Sequence, residues 1–257
     1  MSPTELFEIL ELKHRQYNQP SFIDDDPISI PHQFTRKEDI EISGFLSATI
    51  AWGQRKTIIN NARKLVEMMD MAPYEFVMNA TEGELEPVTH FVHRTLNGQD
   101  CLHLILGLRA VYQTHGGLET IFSKGIQPQD EDVMGGIMSA RTAITSKEDF
   151  PQRTHKHVAN PSRGSSAKRI NMFLRWMVRK DLQGVDFGIW DTIGMHQLIV
   201  PLDVHTGNVA RKLGLLVRKQ NDWKAAKALT DRLKEFAPDD PVKYDFSLFG
   251  LGVYDDL

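Results

Sequence analysis

Two side chains in this sequence could do amine chemistry together. Lys168 closes the run Gly164-Ser165-Ser166-Ala167-Lys168, and Asp203 stands between an apolar lead-in at 198–202 and an amphipathic stretch at 204–216. Small residues let a backbone come close to a ligand, and successive amides at a helix N-terminus form an anion site. A lysine in the first helical turn sits where the helix dipole disfavours a cation. Such a seat favours the free amine, the form a nucleophile needs. The other reading of Lys168 is a surface lysine with its charge in water. Asp203 also reads in two ways. It is a good N-cap, since its carboxylate accepts from the orphan amides of the first turn, with Val209, Ala210, Leu213 and Leu216 on the buried face behind it. A chemical role requires a partner elsewhere in the chain.

The elements that position these residues are helical. Ile42, Phe45, Leu46, Thr49 and Ile50 recur at helical spacing after a capping box of Thr35 with Glu38. Ile58, Ala62, Leu65, Val66 and Met69 begin a second stripe after the break at Gly53. The segment 101–117 reads as a buried helix closed by Gly116 and Gly117. A short helix is expected over 131–143, then a loop rich in Ser, Pro and Gly at 156–168. The next helix carries Ile170, Phe173, Leu174, Met177 and Val178 on one face. Further helices follow near Asp203 and Asn221, the latter with Leu229, Leu233 and Phe236, and a last short one over 242–252. There is no sustained two-residue alternation and no internal repeat, so the expected fold class is all-α.

The 257 residues suffice for a sizeable core. A net charge of −4 gives no global reason to bind nucleic acid, so any basic surface must be local. The single cysteine, Cys101, excludes an internal disulfide and a multi-cysteine metal or iron–sulfur site. The histidine pairs His90/His93 and His155/His157 are too sparse for a metal site, and no cofactor is expected. No apolar run approaches a membrane span and the N-terminal stretch is no signal peptide, so the expected location is cytoplasmic.

One segment is locally basic. From Pro151 to Lys180 there is no Asp or Glu, and there are eight cations: Arg153, Lys156, Arg163, Lys168, Arg169, Arg175, Arg179 and Lys180. Lys168, Arg175 and Arg179 fall along one side of a helix, roughly opposite Ile170, Phe173 and Met177. Phosphate suits such a stripe; a solvated face paired with acids from elsewhere is the alternative.

These residues carry a resemblance. The run "VPLDVHTGNVARKLGL" resembles the aspartate segment of the helix–hairpin–helix DNA glycosylases. The spacing Gly164 to Lys168 is similar to that superfamily's hairpin, whose lysine is the nucleophile. "GFLSATIAWGQRKTIINNARKL" resembles its early helix–loop–helix, whose loop touches DNA. In order, these matches run from about Gly44 to Gly252. Ser166 replaces the second hairpin glycine. The 35 positions between Lys168 and Asp203 are more than in the usual members and closer to the archaeal 8-oxoguanine glycosylase branch. The chain also looks like a bacterial family of uncharacterised function marked by "KRINMFLRWMVR" and "PLDVH".

The resemblance implies a two-lobed helical fold with a cleft, residues 35–197 forming one lobe and 1–34 plus 198–257 the other. It implies a monomer that acts on double-stranded DNA with a flipped damaged nucleotide, an oxidised purine being one candidate. Lys168 and Asp203 would be catalytic. Gly164, Ser165 and Ser166 would hold phosphate through backbone amides, with Arg169 and Arg175 nearby and Gln54, Arg55 and His205 also on DNA. Trp52 and Gln54 would fill the gap left by the flipped base, or else be a core Trp beside a loop polar residue. Asp245, Phe246 and Phe249 are candidates for the base pocket, with core packing as the alternative. A catalytically silent nucleic-acid-binding protein on the same scaffold, or a partner-binding helical protein, are the other classes.

Overall fold

The computed structural model describes residues 2–255. Among them are nine helices of nine or more residues: α1 Pro3–Tyr17, α2 Lys37–Thr49, α3 Arg55–Glu67, α4 Gly98–His115, α5 Met134–Ile144, α6 Lys168–Val178, α7 Val204–Lys212, α8 Trp223–Lys234 and α9 Asp245–Val253. Shorter helical turns fill much of the remainder. Among the described residues no strand forms, and extended pairing is limited to two isolated bridges, His93–Leu96 and Ser165–Asp222. The fold is all-α. No helix among the described residues is long and apolar enough to cross a membrane.

The chain divides into two compact units. The first comprises residues 1–23, 126–134 and 160–257, and the second 24–125 and 135–159. The expected boundaries at 34/35 and 197/198 are not where these units part: residues 160–197, α6 among them, group with the two ends of the chain. Lys168 and Asp203 therefore belong to one unit.

In the first unit α1 packs on α9, and the contact is close because Gly250 has no side chain. A Cβ there would lie 2.0 Å from the Tyr17 ring. The Ser247 hydroxyl donates to the Leu10 carbonyl at 2.7 Å, which satisfies a polar group in the same interface. His14 sits beside it, with Nδ1 3.0 Å from the Lys243 carbonyl. Burial first, then the charges of Arg179 and Lys243, push the His14 imidazole down from 6.5 to about 4. The unfolded chain thus binds this proton before the folded one does, so stability falls as pH drops from about 7 towards 4. The contribution is at most about 3 kcal/mol. Urea titrations at pH 7.5 and 4.5 should show a shallower acid loss in His14→Gln than in the unaltered chain.

In the second unit α4 is the central helix. Asn97 and Asp100 cap each other's amides at 3.0 Å, and Gly116 ends the helix in the left-handed region at φ +78°. Cys101 is fully buried on this helix, and burial, then the Asp100 charge, pushes its thiol up to about 12. An alkylating reagent should leave Cys101 unmodified in the native protein and label it once urea unfolds the chain.

Three local expectations change. The Thr35–Glu38 capping box does not form. α2 starts one residue later with Arg36 as N-cap, and Glu38 accepts from Arg36 Nε at 3.1 Å instead. The helix expected over 131–143 spans Met134–Ile144. The third change concerns α6, whose residues Asn171 to Val178 are all buried. Its apolar face is covered as expected, but so is the side carrying Arg175.

Candidate functional site

The loop ahead of α6 is built to deliver Lys168. Pro161–Arg163 form a single tight turn, and Gly164 turns the chain at φ +87° with open space around it. Ser165 Oγ accepts from the Ala167 amide at 3.1 Å, and Asn171 Nδ2 donates back to the Ser166 carbonyl at 3.1 Å. Ala167 is left-handed at φ +52°, which costs about 1 kcal/mol for a residue with a Cβ. The loop is also pinned from α8. Ser165 bridges to Asp222, and the Trp223 amide donates to the Gly164 carbonyl at 3.4 Å. Two buried polar atoms in the residues that hold this loop, Asn171 Oδ1 and Trp223 Nε1, have no partner among the described residues. The amides expected to hold phosphate are partly committed elsewhere. Gly164 and Ser165 donate inward to the Pro161 and Asn160 carbonyls at 2.9 and 3.3 Å.

Asp203 is both a cap and a partner. Its lead-in, Leu198, Ile199, Val200 and Leu202, is buried, and Val200 is held by its amide on the Thr230 hydroxyl at 3.0 Å. Asp203 Oδ1 accepts from the Thr206 amide at 2.9 Å. Its other oxygen lies 3.8 Å from Lys168 Nζ, and the two side chains keep 32% and 28% of their surface exposed. Asp245, at the first turn of α9, joins this electrostatic group. Burial raises its carboxyl to about 6, the charges of Arg175 and Lys168 oppose the rise, and the Asp203 charge adds to it. One ammonium and one guanidinium are thus arranged with two carboxylates, all on helices or helix caps of one unit.

Arg175 is the principal correction. It was expected on DNA phosphate, but it is buried, donating from Nε to Asp186 at 3.1 Å and from Nη1 to Asp245. A guanidinium already holding two internal carboxylates is closed to phosphate. Arg179 is buried likewise, with Asp181, Asp186 and Asp240 around it. Phe246 is fully buried, 5.2 Å from the Phe22 ring and with Arg175 Cζ 4.4 Å above it, so it is core and not a face for a base. Phe249 is half-buried and stands edge-on to Phe22 at 5.7 Å. Arg169 is also half-buried, and burial pushes its guanidinium down to about 10, so it remains a cation at neutral pH. His205 is exposed and lines an open cavity of about 340 Å³ with Asn208, Arg211, Lys212 and Gly252.

Trp52, Gln54 and Arg55 lie in the second unit, whereas Lys168 and Asp203 lie in the first. Trp52 is half-buried, stacked on His157 at 5.9 Å and edge-on to His93 at 4.9 Å; Gln54 is exposed beside it. Behind this ring stack is buried Asp100, which Arg153 and His157 approach at 3.0 and 3.3 Å. Burial would raise the Asp100 carboxyl, but the Asn97 amide, the Thr154 hydroxyl, and the neighbouring His157 and Arg153 outweigh it and hold it low. Two more side chains of the basic segment therefore have an internal acid. Sequence reasoning missed Asp100 as their anchor, although its place three residues after Asn97 is a legible capping signal. It also missed Asn221, whose Nδ2 donates to the Asp203 carbonyl at 2.9 Å, and no local pattern marks that contact. Among the described residues no group of three or more His, Cys, Asp or Glu converges as a metal site.

Compared with known proteins, residues 26–254 match a family model described as "Protein of unknown function (DUF2400)". No curated protein and no solved structure matches the chain.

Proposed function

We propose that this chain, which belongs to the DUF2400 family, is a lysine-dependent DNA glycosylase with lyase activity. The observation that carries the reading is the approach of Lys168 Nζ to within 3.8 Å of Asp203 across 35 positions of sequence, with both groups still partly open to solvent. An ion pair made only for stability has no need of a strained Ala167 and a fourfold-tethered loop behind it.

In this mechanism the damaged nucleotide leaves the base stack before reaction. Asp203 takes a proton from the Lys168 ammonium, and the free amine attacks C1′ of the deoxyribose. The N–C1′ bond forms as the glycosidic bond breaks, and Asp203 passes the proton it took from Lys168 to the departing base and so returns to the carboxylate form. Asp203, held by the Thr206 amide, stabilises the positive charge that builds on the sugar. Opening of the sugar ring gives a Schiff base on Lys168. Loss of a C2′ proton then expels the 3′ phosphate, which cleaves the strand. Asp245 stands behind the pair and is held by Arg175, so it tunes the local field without needing to touch the sugar.

Sodium borohydride reduces such a Schiff base to a stable amine. The full chain, incubated with duplexes carrying an oxidised purine or an abasic site, is expected to give a covalent protein–DNA species on borohydride addition. No covalent species on any duplex would overturn the reading and leave a silent nucleic-acid-binding scaffold.

A further inference from the structure

The segment 204–230 contains six cations and a single acid, Asp222, in a chain of net charge −4. That acid is fully engaged. It pairs with Arg218 through both oxygens, one contact at 2.8 Å, and caps α8 through the Ala225 amide at 2.9 Å. Lys227 is paired with Glu131 and Asp231. Lys212, Lys219 and Lys224 are exposed and have no ion pair or hydrogen bond from their ammonium groups among the described residues.

The scaffold under these lysines is rigid and is joined to the site acid. Arg211 points inward, with Nε on the Arg218 carbonyl at 2.9 Å and Nη2 on the Lys219 carbonyl at 2.9 Å and Asn221 Oδ1 at 2.6 Å. Asn221 in turn donates to the Asp203 carbonyl at 2.9 Å. Gly207 leaves room for both, because a Cβ there would lie 2.8 Å from Arg211 and from Asn221. Asp222 and Trp223 continue the chain of contacts to the loop that delivers Lys168. The connection from α7 to α8 is therefore fixed in one frame with both reactive groups, and it carries the unpaired, exposed Lys219 between Lys212 at the end of α7 and Lys224 at the start of α8. His205 and Asn208 extend the same exposed side of α7 along the open cavity.

We propose that the end of α7, its connection to α8 and the first turn of α8, through Lys212, Lys219 and Lys224, are a contact surface for the phosphate backbone of duplex DNA beside the reactive site. It rests on the glycosylase reading for the choice of DNA as partner. The geometry supplies what phosphate tracking needs: compact cations on a rigid support, with no competing carboxylate. It also adds to what is left of the basic segment 151–180, where Arg153, Arg175 and Arg179 hold internal acids while Lys156 and Arg163 are exposed.

The test is binding of the full chain to an undamaged duplex over a range of salt, which needs no base release. Each phosphate contact contributes about 0.9 to the slope of log affinity against log salt. Lys212→Gln/Lys219→Gln/Lys224→Gln is expected to reduce that slope by about 2.7. It should still form the borohydride-trapped species at low salt, because Lys168 is untouched. Lys147→Gln, which removes an exposed cation of the second unit, should leave the slope unchanged. The three lysines have no partners to lose, so the triple variant should melt with the unaltered chain. An unchanged slope in the triple variant, an equal fall per charge in Lys147→Gln, or tighter binding of an RNA duplex of the same sequence overturns the proposal. None of these outcomes bears on trapping, so failure here is distinct from failure of the glycosylase reading.

Discussion

Asp203→Asn should leave the fold intact and slow base release by about 10²- to 10⁴-fold. The substitution separates the observed role of Asp203 as a cap from its proposed role as an acid. As an N-cap it accepts from the Thr206 amide, and Asn caps a helix about as well as Asp. A residue that only caps α7 would therefore tolerate the change in stability and in activity alike. In the proposed mechanism the acid beside Lys168 Nζ takes a proton and then faces a developing cation, and a neutral amide would do neither. Lys168→Ala goes further and removes the nucleophile, so trapping on damaged duplex should disappear while binding to undamaged duplex persists. Single-turnover base release, borohydride trapping and thermal melts on the same three proteins decide the matter. Full activity in Asp203→Asn would reduce Asp203 to a helix cap. Trapping that survives Lys168→Ala would assign the amine to another residue, and either result removes the proposed mechanism.

Arg175→Ala should destabilise the first unit by about 3–5 kcal/mol. Arg175 holds Asp186 and Asp245 at once, and Asp186 is buried with the second guanidinium of Arg179 beside it. Removing one cation from this network leaves buried carboxylate charge without its partner, and that loss exceeds what the ion pair itself contributes. The effect carries a pH signature. Burial already raises the Asp245 carboxyl to about 6, above its unfolded value, so the folded state binds this proton more tightly than the unfolded chain. The charged form is the costly one, and losing Arg175 raises this carboxyl further, so the penalty of Arg175→Ala is largest at high pH and shrinks as pH falls towards 6. Urea unfolding at pH 8 and pH 5 measures the difference. Equal penalties at the two pH values would show that Asp245 does not carry the missing charge. A variant as stable as the unaltered chain would return Arg175 to the surface role that its helical spacing suggests.

Much of the helical architecture was legible from residue order. α4 ends at Gly116 because a left-handed residue without a Cβ closes a helix cheaply. The stripe Ile58, Ala62, Leu65 and Val66 is buried as its spacing implies. Asp203 caps α7 because a short carboxylate before an amphipathic run reaches the first free amides. The capping box at Thr35 failed because a neighbouring guanidinium took Glu38, a competition that the four-residue pattern does not contain.

The site was legible in part. Lys168 and Asp203 were marked by the small-residue loop and the apolar lead-in, each a short-range signal. The sequence by itself therefore determined an all-helical chain, the ends of several helices, and which amine and which acid stand at helix starts. These follow from backbone hydrogen bonding and side-chain periodicity within a few residues. Only the tertiary structure decided that Lys168 and Asp203 meet, that Arg175, Arg179 and Phe246 are interior, and that Lys212, Lys219 and Lys224 around the α7–α8 connection are left unpaired. Periodicity shows the faces of a helix but not what will cover them. When Asp186, Asp240 and Asp245 arrive from remote segments, they turn a face that looks solvated into a buried ion network, because burial and charge pairing depend on elements distant in the chain.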